Sequence, residues 1–107
     1  MQHVHFDHYF RYDELSAILE DAAQSHPGLV VKFSIGKSFE GRDIWGVAIT
    51  NRSTGEAADK PAMLIDGNIH ATEVTATSVA VFHLVSLING YDSDDTITRC
   101  LDTRAFY

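Results

Sequence analysis

One stretch limits the fold more than any other: PAMLIDGNIHATEVTATSVAVFHLVSLING, residues 61–90. It opens with a nearly continuous apolar run at 61–65, which predicts a central strand covered on both faces. Asp66 and Gly67 end that run. From about Glu73 to Asn89 the chain is apolar at Val74, Val81, Leu84, Val85 and Ile88, and Asn89-Gly90 stops it, which predicts a mostly buried helix. A strand that runs through a short loop into a long helix belongs to α/β architectures. Open α/β sheets put their chemistry just beyond the carboxyl end of such a strand.

The flanking segments fit around this unit. Tyr12, Leu15, Ile18, Leu19 and Ala22 recur at helical spacing, with Asp13 and Glu14 in the first turn and Ser25-His26-Pro27-Gly28 as a stop. In VVKFSI, Val31, Phe33 and Ile35 alternate with Val30, Lys32 and Ser34. GKSFEGRD is a Gly-bounded turn and IWGVAIT a second alternating strand, so residues 30–50 read as a β-hairpin. NRSTGEAADK reads as a polar surface loop, DSDDTITRCL as a short helix capped by Ser93 or Asp94, and TRAFY as the start of another strand. The expected fold class is α/β: a mixed sheet with a hairpin at its edge and helices packed on it. A strand that breaks off at Ala105-Phe106-Tyr107 predicts a piece of a larger fold, with an open sheet edge that favours self-association.

Bulk properties narrow the function. The chain has 107 residues, 45% of them hydrophobic, and a net charge of -7. Without a run of Lys or Arg it has no stripe for nucleic acid and no polybasic patch for a membrane surface. Cys100 is the only cysteine, so no intrachain disulfide forms. The N-terminus lacks the basic start and apolar stretch of a signal peptide, and the apolar region around SVAVFHLVSLI reaches only half of the roughly 20 residues that a span needs. A cytoplasmic location is the expectation.

His70 and Glu73 carry the chemistry. Three residues apart at a helix start, both side chains reach the same side of the chain, and imidazole plus carboxylate is a normal pair of zinc ligands. The spacing alone is a weak signal: six His and five Glu in this chain give roughly 0.3 such pairs by chance. The competing reading makes Glu73 a first-turn acid that suits the helix dipole and His70 a loop residue. Asp66 is either a group that orients a ligand or an ordinary strand-end polar residue.

The other candidates read more plainly. His3, His5 and His8 form a tract without a carboxylate or thiol at ligand spacing, best taken as a partly ordered terminus with Phe6 and Tyr9 packing down. His83 reads as a core or rim residue of the long helix, His26 as a helix-end residue and Arg42 as a hairpin charge. Asp92, Ser93, Asp94 and Asp95 lack the Gly and distant Glu of a calcium loop and read as helix capping. Cys100 reads as a small buried apolar residue.

The segments FRYDELSAILEDAAQSHPGLV, SIGKSFEGRDIWGVAIT and KPAMLIDGNIHATEVTATSVAVFHLVSLINGY resemble, in this order, the N-terminal part of the zinc metallocarboxypeptidases of the carboxypeptidase A/B type, their bacterial members above all. The resemblance runs from about Phe6 onward. It implies that residues 1–107 are the N-terminal portion of a catalytic domain that releases C-terminal amino acids from peptides. It also implies zinc as cofactor, with His70 as its first ligand and Glu73 as its second. Thr72 stands where the animal digestive members carry a substrate-binding Arg. The family's third ligand, its catalytic Glu, its carboxylate-gripping Asn-Arg pair and its closing Tyr lie beyond Tyr107, so these residues alone are expected to be inactive and to bind zinc weakly. Two rival readings are a non-catalytic α/β binding module and a zinc amidohydrolase of the succinylglutamate desuccinylase/aspartoacylase type. The SIGKSFEGRDI hairpin favours the carboxypeptidases.

Overall fold

The computed structural model describes residue 1 and residues 3–107. Helix α1 spans Tyr12–Ser25, strands β1 and β2 Val30–Lys37 and Asp43–Ile49, strand β3 Ala62–Met63, helices α2 and α3 Val74–Gly90 and Asp95–Thr103, and strand β4 Ala105–Phe106. The sheet order is β1-β2-β4-β3, with β1–β2 and β2–β4 antiparallel and β3–β4 parallel. This is the mixed sheet with packed helices that the sequence predicts. No single helix among the described residues is long and apolar enough to cross a membrane.

Local signals placed the helices. At the start of α1 the Glu14 carboxylate reaches back to accept from the Arg11 amide at 3.0 Å, which satisfies a donor left free by the first turn. His26 closes α1 by donating to Ala22 O at 3.0 Å, directly before Pro27. Asp94, one of the two expected caps of α3, accepts from Thr96 N at 2.8 Å and Ile97 N at 3.0 Å.

All three helices contribute to one core. Leu19 and Ala22 of α1, Val30 and Ile49 of the hairpin, Leu84 and Ile88 of α2 and Leu101 of α3 meet there. The hairpin pairs Val30 with Ile49 and Lys32 with Val47, so these residues share a face, and Val30 on that face is 2% exposed. The apolar set Val31, Phe33 and Ile35 lies on the other face, where Ile35 is 68% exposed. A lysine can occupy the helix side because its stem lies along apolar surface. The Lys32 ammonium sits 3.9 Å from the Trp45 ring centroid and reaches Glu20 at 3.0 Å.

Two expectations about burial need correction. Residues 61–65 were expected to form a central strand covered on both faces. Only Ala62–Met63 is strand, at the end of the sheet order, with Leu64 73% exposed. Two-sided cover needs a neighbour on each side, and among the described residues β3 pairs with β4 alone. Helix α2 was expected to be mostly buried; Val81, Leu84 and Ile88 are, whereas Val79 and Phe82 are about half exposed. Its apolar residues run all the way round, while the core takes one stripe.

The loop between β2 and β3 is anchored by polar contacts. The Lys60 ammonium donates to Thr50 Oγ1, Asn51 O and Thr54 Oγ1, each at 2.8 Å. Thr50 is 1% exposed, and its hydroxyl lies 3.0 Å from Leu101 O and 2.7 Å from Arg104 O. Thr50→Val keeps the shape but takes a donor from Arg104 O and an acceptor from the Lys60 ammonium, while Leu101 O keeps the Asn51 backbone amide. It should cost about 1–3 kcal/mol in urea unfolding, and a cost near zero would show that water replaces the hydroxyl.

Candidate metal centre

The site is built where the chain leaves the sheet. The last sheet bond runs from Ile65 N to Tyr107 O at 2.7 Å. Gly67 then passes against the first turns of α2: a Cβ there would stand 2.6 Å from Ala76 O, a backbone atom that cannot swing aside. Asn68 follows with φ 62°, a left-handed conformation that Asn tolerates better than most residues. Residues 70–73 form a tight turn closed by Glu73 N donating to His70 O at 3.0 Å, and α2 begins at Val74.

This turn brings the two candidate ligands together. His70 Nδ1 and Glu73 Oε1 are 2.8 Å apart, and Glu73 Oε2 accepts from the His70 amide at 3.2 Å. The imidazole bond first, and the amide bond second, hold the Glu73 carboxyl below the ordinary glutamate range, so it is ionised at neutral pH. Both side chains are open to solvent, His70 77% and Glu73 43% exposed.

The geometry bears on the two readings of Glu73. It occupies the N-cap position of α2, yet its carboxylate makes no cap hydrogen bond. The side chain turns from the helix toward the imidazole. An ionised carboxylate beside an imidazole nitrogen is a donor set that zinc accepts.

The other expected residues stay apart from this pair. Asp66 is exposed and makes no hydrogen bond to His70 or Glu73. Among the described residues no group of three His, Cys, Asp or Glu side chains could hold a metal ion, so the N-terminal histidines do not complete a site. His3 and His5 share a face, as an extended segment requires, with ring centroids 4.7 Å apart. His8 lies between Asp7 and Glu14, each at 2.9 Å. These carboxylates, Asp7 first, hold its imidazole above the ordinary histidine value. His83 is exposed, a rim residue, and Arg42 pairs with Glu40 at 3.2 Å as a hairpin charge. Cys100, expected buried, is only partly so, because the core side of α3 is filled by Leu101. Two residues shape the turn without having been expected to: Gly67, known from the sequence only as an end to the apolar run, and Asn68.

The comparisons with known proteins concern the family and the fold. The sequence profile of the zinc carboxypeptidase family, peptidase M14, matches residues 15–107. Carboxypeptidase A2 of Rattus norvegicus is 33% identical over 98 residues, covering 92% of this chain and 22% of its own length. An inactive metallocarboxypeptidase of Saccharomyces cerevisiae is 31% identical over 101 residues, covering 94% of this chain and 24% of its own. Among solved structures, thrombin-activatable fibrinolysis inhibitor superposes with a TM-score of 0.81 at 26% identity, over 92% of this chain and 24% of that one.

The fold is that of the carboxypeptidase α/β domains. The chain belongs to the zinc carboxypeptidase family. It spans about a quarter of the length of these relatives.

Proposed function

We propose that these residues form part of the catalytic domain of a zinc-dependent metallocarboxypeptidase, with His70 and Glu73 as two of the zinc ligands and the C-terminal end of a peptide as substrate. The observation that carries this reading is the orientation of Glu73, which withholds its carboxylate from the helix it begins and directs it to the His70 imidazole. His70 offers a ring nitrogen and Glu73 an ionised oxygen at one point on the surface, while Gly67 and the turn at 70–73 fix the backbone beneath them. Zinc, when bound, supplies a Lewis acid to the scissile carbonyl. Catalytic zinc takes three protein ligands and a water as a rule. The third ligand, the acid–base glutamate and the grip on the substrate's carboxylate are assigned to parts of the protein outside these residues. The family match favours neither a stand-alone binding module nor an amidohydrolase of the desuccinylase type.

The test is made on the whole protein purified from its source. Metal analysis should find zinc, and a peptide with a free C-terminus should lose its last residue in a reaction that a chelator stops. The same peptide with an amidated C-terminus should be cleaved at least tenfold more slowly, since the bidentate grip on a carboxylate is lost. Equal cleavage of both peptides would exclude a carboxypeptidase, and absence of zinc-dependent cleavage would place the protein with the family's inactive members.

A further inference from the structure

The two side chains at the metal centre receive little support from packing. His70 is 77% exposed on its side chain and Glu73 43%. Among the described residues the hydrogen bonds of these two side chains stay within the pair, and one neighbour holds their backbones. That neighbour is Asn68. Its side-chain amide faces two carbonyl oxygens, so the nitrogen is the atom that turns toward them. It donates to His70 O at 3.0 Å and to Glu73 O at 3.1 Å. One NH₂ group thus spends both hydrogens on the backbones of the two candidate ligands.

We infer that Asn68 is a positioning residue that clamps the carbonyls of His70 and Glu73 and so sets the separation and direction of the metal-ligating pair. This rests on the reading of His70 and Glu73 as metal ligands. The clamped carbonyls already accept once each, His70 O from Glu73 N and Glu73 O from Ala76 N, both at 3.0 Å. Asn68 therefore adds a second donor at each end of the four-residue turn. Its left-handed backbone, φ 62°, aims the amide back over residues 70–73, and the close pass of Gly67 against Ala76 puts Asn68 within reach. Groups that orient metal ligands from behind are typically worth roughly 10–100-fold in metal affinity.

Two substitutions separate the amide from the backbone conformation. Glycine adopts the left-handed region freely, so Asn68→Gly keeps the turn and removes the clamp. Aspartate also tolerates that region, but Asn68→Asp turns carboxylate oxygens on two carbonyl oxygens. On the whole protein, zinc affinity is measured by chelator competition, and the ligand field by the visible absorption of the cobalt-substituted form. Asn68→Gly should lower affinity about tenfold or more and change the cobalt spectrum, with Asn68→Asp weaker still. In the metal-free protein, Asn68→Gly should speed hydrogen exchange at the Glu73 and Ala76 amides while leaving the melting temperature close to that of the parent.

Parent-like zinc affinity in both variants would overturn the inference and leave the ligand assignment standing. A parent protein whose zinc affinity is indifferent to His70→Ala and Glu73→Ala would overturn the ligand assignment itself, and the clamp with it.

Discussion

Glu73→Ala should strip the protein of zinc and of its proposed peptidase activity while leaving helix α2 in place. The carboxylate is turned toward His70 and caps nothing, so its removal takes no hydrogen bond from the helix start. The pair is exposed, and exposed pairs contribute little to stability. Far-UV circular dichroism and the metal-free melting temperature should therefore match the parent. Zinc affinity should fall by more than the roughly 100-fold that loss of an orienting group produces, since a ligand atom itself is gone. The same outcome is expected of His70→Ala. If Glu73→Ala melted α2 and retained zinc, the capping reading of Glu73 would be the right one.

The second large effect concerns the fold. Leu101→Ala should destabilise the domain by about 2–5 kcal/mol, the range for removing a large aliphatic side chain from a packed core. Leu101 is 0% exposed and lies in the cluster that joins α1, α2 and the hairpin. Its carbonyl also accepts from the Asn51 amide at 2.9 Å, so movement of α3 into the cavity would disturb the loop at 51–60. Relief by collapse is thus restricted, which places the expectation in the upper half of the range. Urea midpoints measure it. Phe39→Ala, the truncation of a larger side chain that stands wholly exposed at the hairpin tip, should stay within about 0.5 kcal/mol. A Leu101→Ala cost no larger than that would mean that the described core is not the cooperative one.

What the sequence disclosed divides by the range of the interactions involved. Helix α1, the hairpin and the Asp94 cap follow from neighbours within a few residues, and periodicity and turn chemistry reveal those. Which face of the hairpin is covered does not follow, because Val31, Phe33 and Ile35 are the more apolar set yet the helices lie over Val30 and Lys32. That choice is made by the core built over this face, to which Leu84, Ile88 and Leu101 come from far along the chain. The apolar run at 61–65 misled for a similar reason: it records a preference for burial and says nothing of how many neighbours β3 has.

The site was half legible. His70 and Glu73 announce themselves by residue type and spacing. Asp66 had two readings in the sequence, an orienting carboxylate or an ordinary strand-end residue, and it is exposed and bonds to neither His70 nor Glu73. Asn68 acts on backbone carbonyls through a left-handed turn, and the only trace of this in the sequence is an Asn directly after a Gly.

The bonds around Thr50 have a consequence for the order in which the molecule takes shape. Its hydroxyl is separated by 51 and 54 residues from the carbonyls that hold it. On a ribosome adding roughly 5–20 residues per second, about 3–10 seconds pass between the synthesis of Thr50 and that of its partners. The β1–β2 hairpin can close early in that interval, whereas the inner edge of β2 waits for β4 and the Lys60 loop waits for the end of α3. Until then the Thr50 hydroxyl, the Lys60 ammonium and the inner edge of β2 all keep water as their partner.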